Sequence, residues 1–293
     1  METTNMKDIR VMLVHAHPDD ETINNGATMA SLVEMGAQVL LVTCTRGEEG
    51  EVLVSDLAHL AADQTDGLGA HREIELANAM KALGVSNHRF LGAPHNRYRD
   101  SGMMGTVPNK REDNFWNAPL EKTSTDLAAV IIEFKPHILI TYDEFGGYGH
   151  PDHIQAHRVA MKAVAVAEND KVAPWRIQKI YWNAMPKSII ARGIEKMKEV
   201  GSDFMGITDV NDLPFAKDDA LVTTVFDGVN SVQKKMDALA EHKTQISLDG
   251  PFFALSNNLG NEVMGLEFYT CVKGEINPLR NEMGFEEGIT HGL

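Results

Sequence analysis

Hydrophobic positions along this chain fall into short unbroken runs separated by amphipathic stretches. The runs over 9–15 (IRVMLVH) and 38–43 (QVLLVT) lack polar alternation, as strands buried on both faces do. An amphipathic segment over 27–35, with Gly36 behind it, predicts a helix between them. Ile74, Leu76, Ala77, Met80 and Leu83 recur at helical spacing over 72–83, and Gly84 stands at the end. A short strand is expected near 89–91 and a helix over 123–134, which Pro136 separates from a strand over 138–142. A further helix runs from behind His153 to about 167, and 177–182 reads as one more strand. This alternation predicts an α/β, Rossmann-like fold: a mostly parallel sheet with helices on both faces. After Trp182 the alternation weakens to a helix over 189–199, a strand over 221–226 and a helix over 229–242. The expected organisation is a Rossmann-like domain over 1–183 and a smaller C-terminal α/β extension over 184–293, a division equally compatible with one integrated domain.

Composition narrows the class. A chain of 293 residues with 43% hydrophobic and 24% charged positions is ordinary for a globular protein that buries a substantial core. A net charge of −15 argues against nucleic acid and anionic membrane surfaces as partners, because both repel an acidic body. Residues 1–10 carry no apolar leader core, and no later run reaches the length of a membrane span. The two cysteines, Cys44 and Cys271, lie far apart in strand-like stretches and read as buried thiols of a cytoplasmic protein. Composition is compatible with an oligomer and does not specify one. The stretch over 92–118, rich in Gly, Pro, Asn and Arg, is too long for a mere connector and is expected to be functional or disordered.

Chemistry concentrates in two runs, His17-Pro18-Asp19-Asp20-Glu21 and His150-Pro151-Asp152-His153, each just behind a predicted strand. That places both at the sheet edge where open α/β folds bind ligands. Pro18 cannot continue a central strand, so the chain turns there, and His17 and Asp20 are close enough in sequence to share one ion. Asp19 and Asp20 should point differently, so that one can ligate while the other faces substrate. His153, opening a helix behind Pro151, could supply the third ligand. Three mixed imidazole and carboxylate ligands with an open position suit a hydrolytic Zn²⁺, and Fe²⁺ also fits. Water on such an ion drops from a pKa near 15.7 to roughly 7. A single His-Pro-Asp run would read as well as a capped helix N-terminus, with Asp20 or Asp152 as cap, but two such runs behind two strands favour a metal site. Gly146-Gly147-Tyr148-Gly149 lacks the spacing of a dinucleotide fingerprint and reads as a hinge that positions Tyr148 and His150. The acidic stretch Glu48-Glu49-Gly50-Glu51 follows the second strand and can rim the pocket.

Together the two runs resemble those of the zinc-dependent deacetylases related to N-acetylglucosaminylphosphatidylinositol de-N-acetylase. The likeness is closer to the mycothiol-pathway branch, which deacetylates N-acetylglucosaminyl-inositol. Stretches 42–45 and 47–51, Arg99-Asp100-Ser101-Gly102-Met103, Thr141-Tyr142-Asp143 and the glycine run resemble that branch as well. Likeness is dense over 11–157, then thins until Glu241-His242-Lys243-Thr244-Gln245 and Leu255-Ser256-Asn257-Asn258-Leu259. The resemblance implies His17, Asp20 and His153 as zinc ligands and Asp19 as general base. It implies His150 as general acid for the leaving amine and aid to the oxyanion, Asp152 as the residue that orients His150, and Tyr148 as a further oxyanion contact. Arg72, Asp100 and Met103 would touch the sugar-inositol, a small acetylated amino-sugar substrate, with the C-terminal extension completing its pocket.

A mycothiol S-conjugate amidase shares both runs but typically carries a lysine where this chain has Asn24, which favours the sugar deacetylase. Stretches 192–201 and 217–220 do not match the branch clearly. A sugar-binding module with a purely structural metal would not need Asp19, His150 and Asp152 around it. A two-metal phosphoesterase needs more ligands than the sequence offers, and a dinucleotide enzyme would need spaced glycines where His-Pro-Asp-Asp stands.

Overall fold

The uninterrupted apolar runs become the centre of the sheet. β1 (Arg10–His15), β2 (Gln38–Thr43), β3 (Asn87–Phe90), β4 (Ile138–Thr141) and β5 (Lys179–Pro186) lie parallel in the order β3-β2-β1-β4-β5. The computed structural model describes residues 6–92, 94, 97–201, 206–207, 209–250 and 253–293. Residues 1–5, positions 93, 95 and 96 of the long 92–118 stretch, and 202–205, 208, 251 and 252 lie outside the described residues.

Both faces of the sheet are covered, which is why the strand sequences do not alternate. Met12, Val14, Leu40 and Val42 pack against α3 (Leu120–Phe134) and α5 (Pro151–Glu168) through Leu127, Ile131, Val159 and Ala163. Val11, Leu13, Val39 and Leu41 point the other way, onto α1 (Asp20–Glu34) and α2 (Leu68–Leu83), where Met29, Leu32, Leu76 and Met80 meet them. Each large aliphatic side chain fully buried in these layers contributes roughly 1.5–3 kcal/mol. The predicted mostly parallel α/β sheet is therefore present, with Gly84 in the left-handed region closing α2. Among the described residues no helix is long and apolar enough to cross a membrane.

Several boundaries differ from expectation. α1 begins at Asp20, not near residue 27. Thr22, Asn24, Asn25 and Gly26 are weak helix formers, but tertiary contacts override that preference. The Asn25 amide donates to Asn183 Oδ1 and Tyr269 Oη, and Glu267 accepts from the backbone N–H groups of Ala27 and Thr28. α2 likewise starts earlier, at Leu68.

The C-terminal part continues the same sheet beyond β5, with one strand reversed. β8 (Leu266–Lys273) pairs antiparallel with β5, β7 (Thr224–Asp227) pairs antiparallel with β8, and β9 (Glu286–Glu287) lies beside β7. β5 itself runs through positions 183 and 184. β6 (Ala216–Lys217) pairs with the end of β5, behind α6 (Lys187–Glu199). The helix expected over 229–242 is split into a 3₁₀ turn, Val229–Ser231, and α7 (Val232–Leu239), which lies against α1 and α2. The buried pair Lys235 and Glu267, 2.7 Å apart, ties α7 to β8.

Candidate active site

β1 and β4 are neighbours whose continuing chains leave to opposite sides, towards β2 and β5 respectively. The crevice above their C-terminal ends is the switch point of the sheet, and both His/Asp runs lie there. β1 ends at His15, and the chain turns through Pro18 and Asp19; the Asp19 φ of 113° and ψ of −35° are strained for a non-glycine residue, at a cost of order 1–3 kcal/mol. Asp19 is the N-cap position of α1 but makes no side-chain cap bond. Its carboxylate faces Arg72, with Nη2 3.2 Å from Oδ2. Burial pushes the Asp19 carboxyl up to about 6, against the opposing pull of Arg72.

Asp20, His17 and His153 converge. Asp20 Oδ2 lies 3.3 Å from His17 Nδ1 and 3.3 Å from His153 Nε2. Bonds of about 2.0–2.1 Å to a tetrahedral ion put its ligand atoms roughly 3.3–3.4 Å apart, so these edges fit one. His153 Nδ1 lies 3.1 Å from Gly146 O and so carries the proton of the neutral ring. That leaves Nε2 with a lone pair, buried and without a hydrogen-bond partner among the described residues. An orphaned buried nitrogen beside a carboxylate is what a cation would satisfy. Burial opposes the Asp20 carboxylate, but positive charge on the side of His153 and His17, carried by protonated rings or by an ion held between them, keeps its pKa well below the usual range.

His17 is held from its far side. Its Nε2 lies 3.3 Å from Asp152 Oδ2 and 3.6 Å from Asp100 Oδ1. Burial works against its charge, yet Asp100, Asp152 and Asp20 raise its pKa well above the ordinary value. Asp152 thus acts differently from expectation: its carboxylate serves His17 and accepts from the Ser101 N–H and hydroxyl, while only its backbone N–H reaches His150. The reason is helical geometry. Asp152 lies in the first turn of α5, where its amide is free to donate to the His150 N-cap side chain at 3.1 Å and its carboxylate projects across the site.

His150 Nδ1 accepts that bond, so the proton of the neutral ring is on Nε2. Burial, with His17 and His153 nearby, pushes its pKa down to about 3. His17, His150 and His153 each offer a nitrogen within 4.8 Å of the others, so His150 also lies within reach of the ion-sized space. Tyr148, half-exposed, packs its ring 5.0 Å from that of His153 and 6.2 Å from that of His150. The glycine run forms the one-turn α4 (Gly146–Gly149), a tight bend: Gly146 has φ 62°, and a Cβ there would sit 2.6 Å from His153 Cβ.

The remaining expected residues divide. Arg72 is buried and donates to Gly47 O, at 2.8 Å, and to Pro18 O, besides facing Asp19. Asp100 lies deep against His17 and accepts from the N–H groups of Gly102 and Glu49. Met103 is exposed at the rim. Asn24 donates to Asp20 O within α1. Glu48, from the acidic stretch, is buried and accepts the Asp100 N–H, so part of that stretch braces the site. Sequence reasoning left Ser101, Glu21 and His242 without roles. Glu21 and His242 are fully buried beneath Asp19 with Nε2 3.3 Å from Oε1, and the run 241–245 was their signal.

Residues 12–164 match the family described as PIG-L: GlcNAc-PI de-N-acetylase. The chain belongs to this family. A relative from Geodermatophilus obscurus, named 1D-myo-inositol 2-acetamido-2-deoxy-alpha-D-glucopyranoside deacetylase, is 55% identical over 97% of this chain and 98% of its own. A relative of the same name from Kribbella flavida is 50% identical over 98% of this chain and 99% of its own. Among solved structures, an N,N'-diacetylchitobiose deacetylase from Pyrococcus horikoshii shares the fold with a TM-score of 0.62 at 19% identity, covering 94% of this chain and 90% of that one. The chain is thus a hydrolytic deacetylase of a metal-dependent family, and it carries a buried His/Asp cluster suited to a metal.

Proposed function

We propose that this enzyme removes the acetyl group from 1D-myo-inositol 2-acetamido-2-deoxy-α-D-glucopyranoside, with Zn²⁺ held by His17, Asp20 and His153. The substrate reading is supported by the near full-length relatives of that name. The ligand reading is supported by the 3.3 Å edges about Asp20 and by the orphaned His153 Nε2. Fe²⁺ would satisfy the same donors.

A bound ion would supply a Lewis acid for the acetamide carbonyl and lower the pKa of water. The chain's own groups do the rest. Asp19, excused from capping and fixed by Arg72, takes the proton of the attacking water. His150 Nε2–H and the Tyr148 hydroxyl face the developing oxyanion. A doubly protonated His150 would forfeit the bond from the Asp152 amide, so the neutral donor role suits this geometry better than proton delivery. Asp19 then passes its proton to the departing amine, which leaves acetate and the free amino sugar. Asp100 and Met103 lie towards the sugar, Arg72 bears on substrate through Asp19, and the C-terminal extension completes the pocket. The free thiols of Cys44 and Cys271 support a reducing, cytoplasmic setting.

The test is acetate release from the inositol glycoside by metal-replete enzyme and by Asp19→Asn. The variant should bind metal normally and lose roughly 10²- to 10⁴-fold in kcat. Full activity in the variant would remove Asp19 from the mechanism.

A further inference from the structure

The strained Asp19 backbone is held from below by groups that no step above uses. Glu21 Oε2 accepts the Asp19 N–H at 3.0 Å. Its other oxygen, Oε1, faces His242 Nε2 at 3.3 Å and accepts from the Thr22 hydroxyl. Neither Glu21 nor His242 is exposed at all.

His242 comes from the turn that ends α7, far away in sequence, and that turn is already anchored by other means. Thr244 donates through its amide (2.9 Å) and hydroxyl (2.7 Å) to Glu75 on α2, and Gln245 Nε2 donates to Glu51 O at 3.0 Å. Apolar packing of Met236, Leu239 and Phe253 adds to this. The buried pair is therefore superfluous as an anchor, and a buried ion pair is in any case a weak source of stability compared with apolar residues of the same size. What the pair does achieve is geometric. It fixes one carboxylate oxygen at the single backbone N–H whose position decides where the Asp19 side chain points.

We propose that His242 is a positioning residue, which through Glu21 locks the Asp19 backbone so that the Asp19 carboxylate faces the acetamide. The inference rests on the reading of Asp19 as general base. An error of about 1 Å in a reacting group costs on the order of 10²-fold in rate, so the lock acts on turnover more than on substrate or metal binding.

The experiment compares His242→Asn with His242→Gln in metal-replete enzyme. Glutamine carries an amide N–H about as far from the backbone as histidine Nε2, and asparagine falls short. The Asn variant should lose roughly 10- to 100-fold in kcat with KM within about 3-fold and metal content unchanged, and the Gln variant should recover most of the loss. Wild-type kcat in the Asn variant overturns the inference. So does a joint fall in kcat, metal content and thermal midpoint that Gln does not rescue, because that is the signature of a structural role. Should the Asn variant not fold, amide exchange in the wild type decides. Strong protection of the Asp19 N–H is expected, and exchange at the rate of an open turn overturns the lock. Asp19→Asn is run alongside. If it stays active the base reading fails, and if it is inactive while His242→Asn is normal, only the positioning role falls.

Discussion

Gly146→Ala should weaken metal binding although no ligand is substituted. Gly146 has φ 62°, and its missing Cβ would lie 2.6 Å from His153 Cβ, 2.7 Å from Ile154 N and 3.0 Å from His153 C. These are mostly backbone atoms at the start of α5, so no side chain can swing aside. Restoring ordinary carbon contact requires a shift of roughly 1 Å, against the ±0.2 Å that ligand distances tolerate. The shift acts on His153 directly and also disturbs the Gly146 carbonyl that fixes its ring. Losing such an outer-shell contact costs about 10- to 100-fold in metal affinity. Overpacking and left-handed strain add roughly 1–3 kcal/mol of destabilisation. Competition against a chelator of known affinity, with metal read by mass spectrometry, measures the first effect, and thermal denaturation in chelator measures the second. Metal affinity and stability both equal to wild type would refute the packing argument and with it His153 as a ligand oriented by the glycine bend.

Two further outcomes follow from particular contacts. Asp152→Asn keeps the backbone bond to His150 but alters the group facing His17 Nε2 at 3.3 Å, so metal affinity should fall about 10- to 100-fold. Unchanged affinity in chelator competition would mean that Asp152 does not support His17. Lys235→Met leaves Glu267 buried without its 2.7 Å partner and should cost about 3–5 kcal/mol in denaturant unfolding, and a loss below 1 kcal/mol would contradict the pairing.

The centre of the fold was legible because its physics is local. β2 matches expectation residue for residue, and β1 begins one position late, since a run such as VLLVT can bury both faces only as a central strand. The start of α1 was not legible. Asn25 and Gly26 discourage a helix locally, and only contacts with Tyr269, Glu267 and Lys235, remote in sequence, reverse that. The antiparallel β5–β8 pairing is hidden for the same reason. At the site, the meeting of His17, Asp20 and His153 could be read from two runs behind two strands. Which way Asp152 points could not, because side chain and amide of one residue serve different histidines. His242 lay within a run that resembled the family, but nothing in its sequence neighbourhood ties it to Glu21.

The most direct measurement is kcat/KM of metal-replete enzyme on three substrates: the N-acetylglucosaminyl-inositol, free N-acetylglucosamine and a mycothiol S-conjugate. The account predicts that the inositol glycoside is cleaved with the highest kcat/KM, acetate and free amine appearing in equal amounts, and that chelation abolishes turnover. A clear preference for the conjugate, or undiminished turnover after complete metal removal, would contradict it.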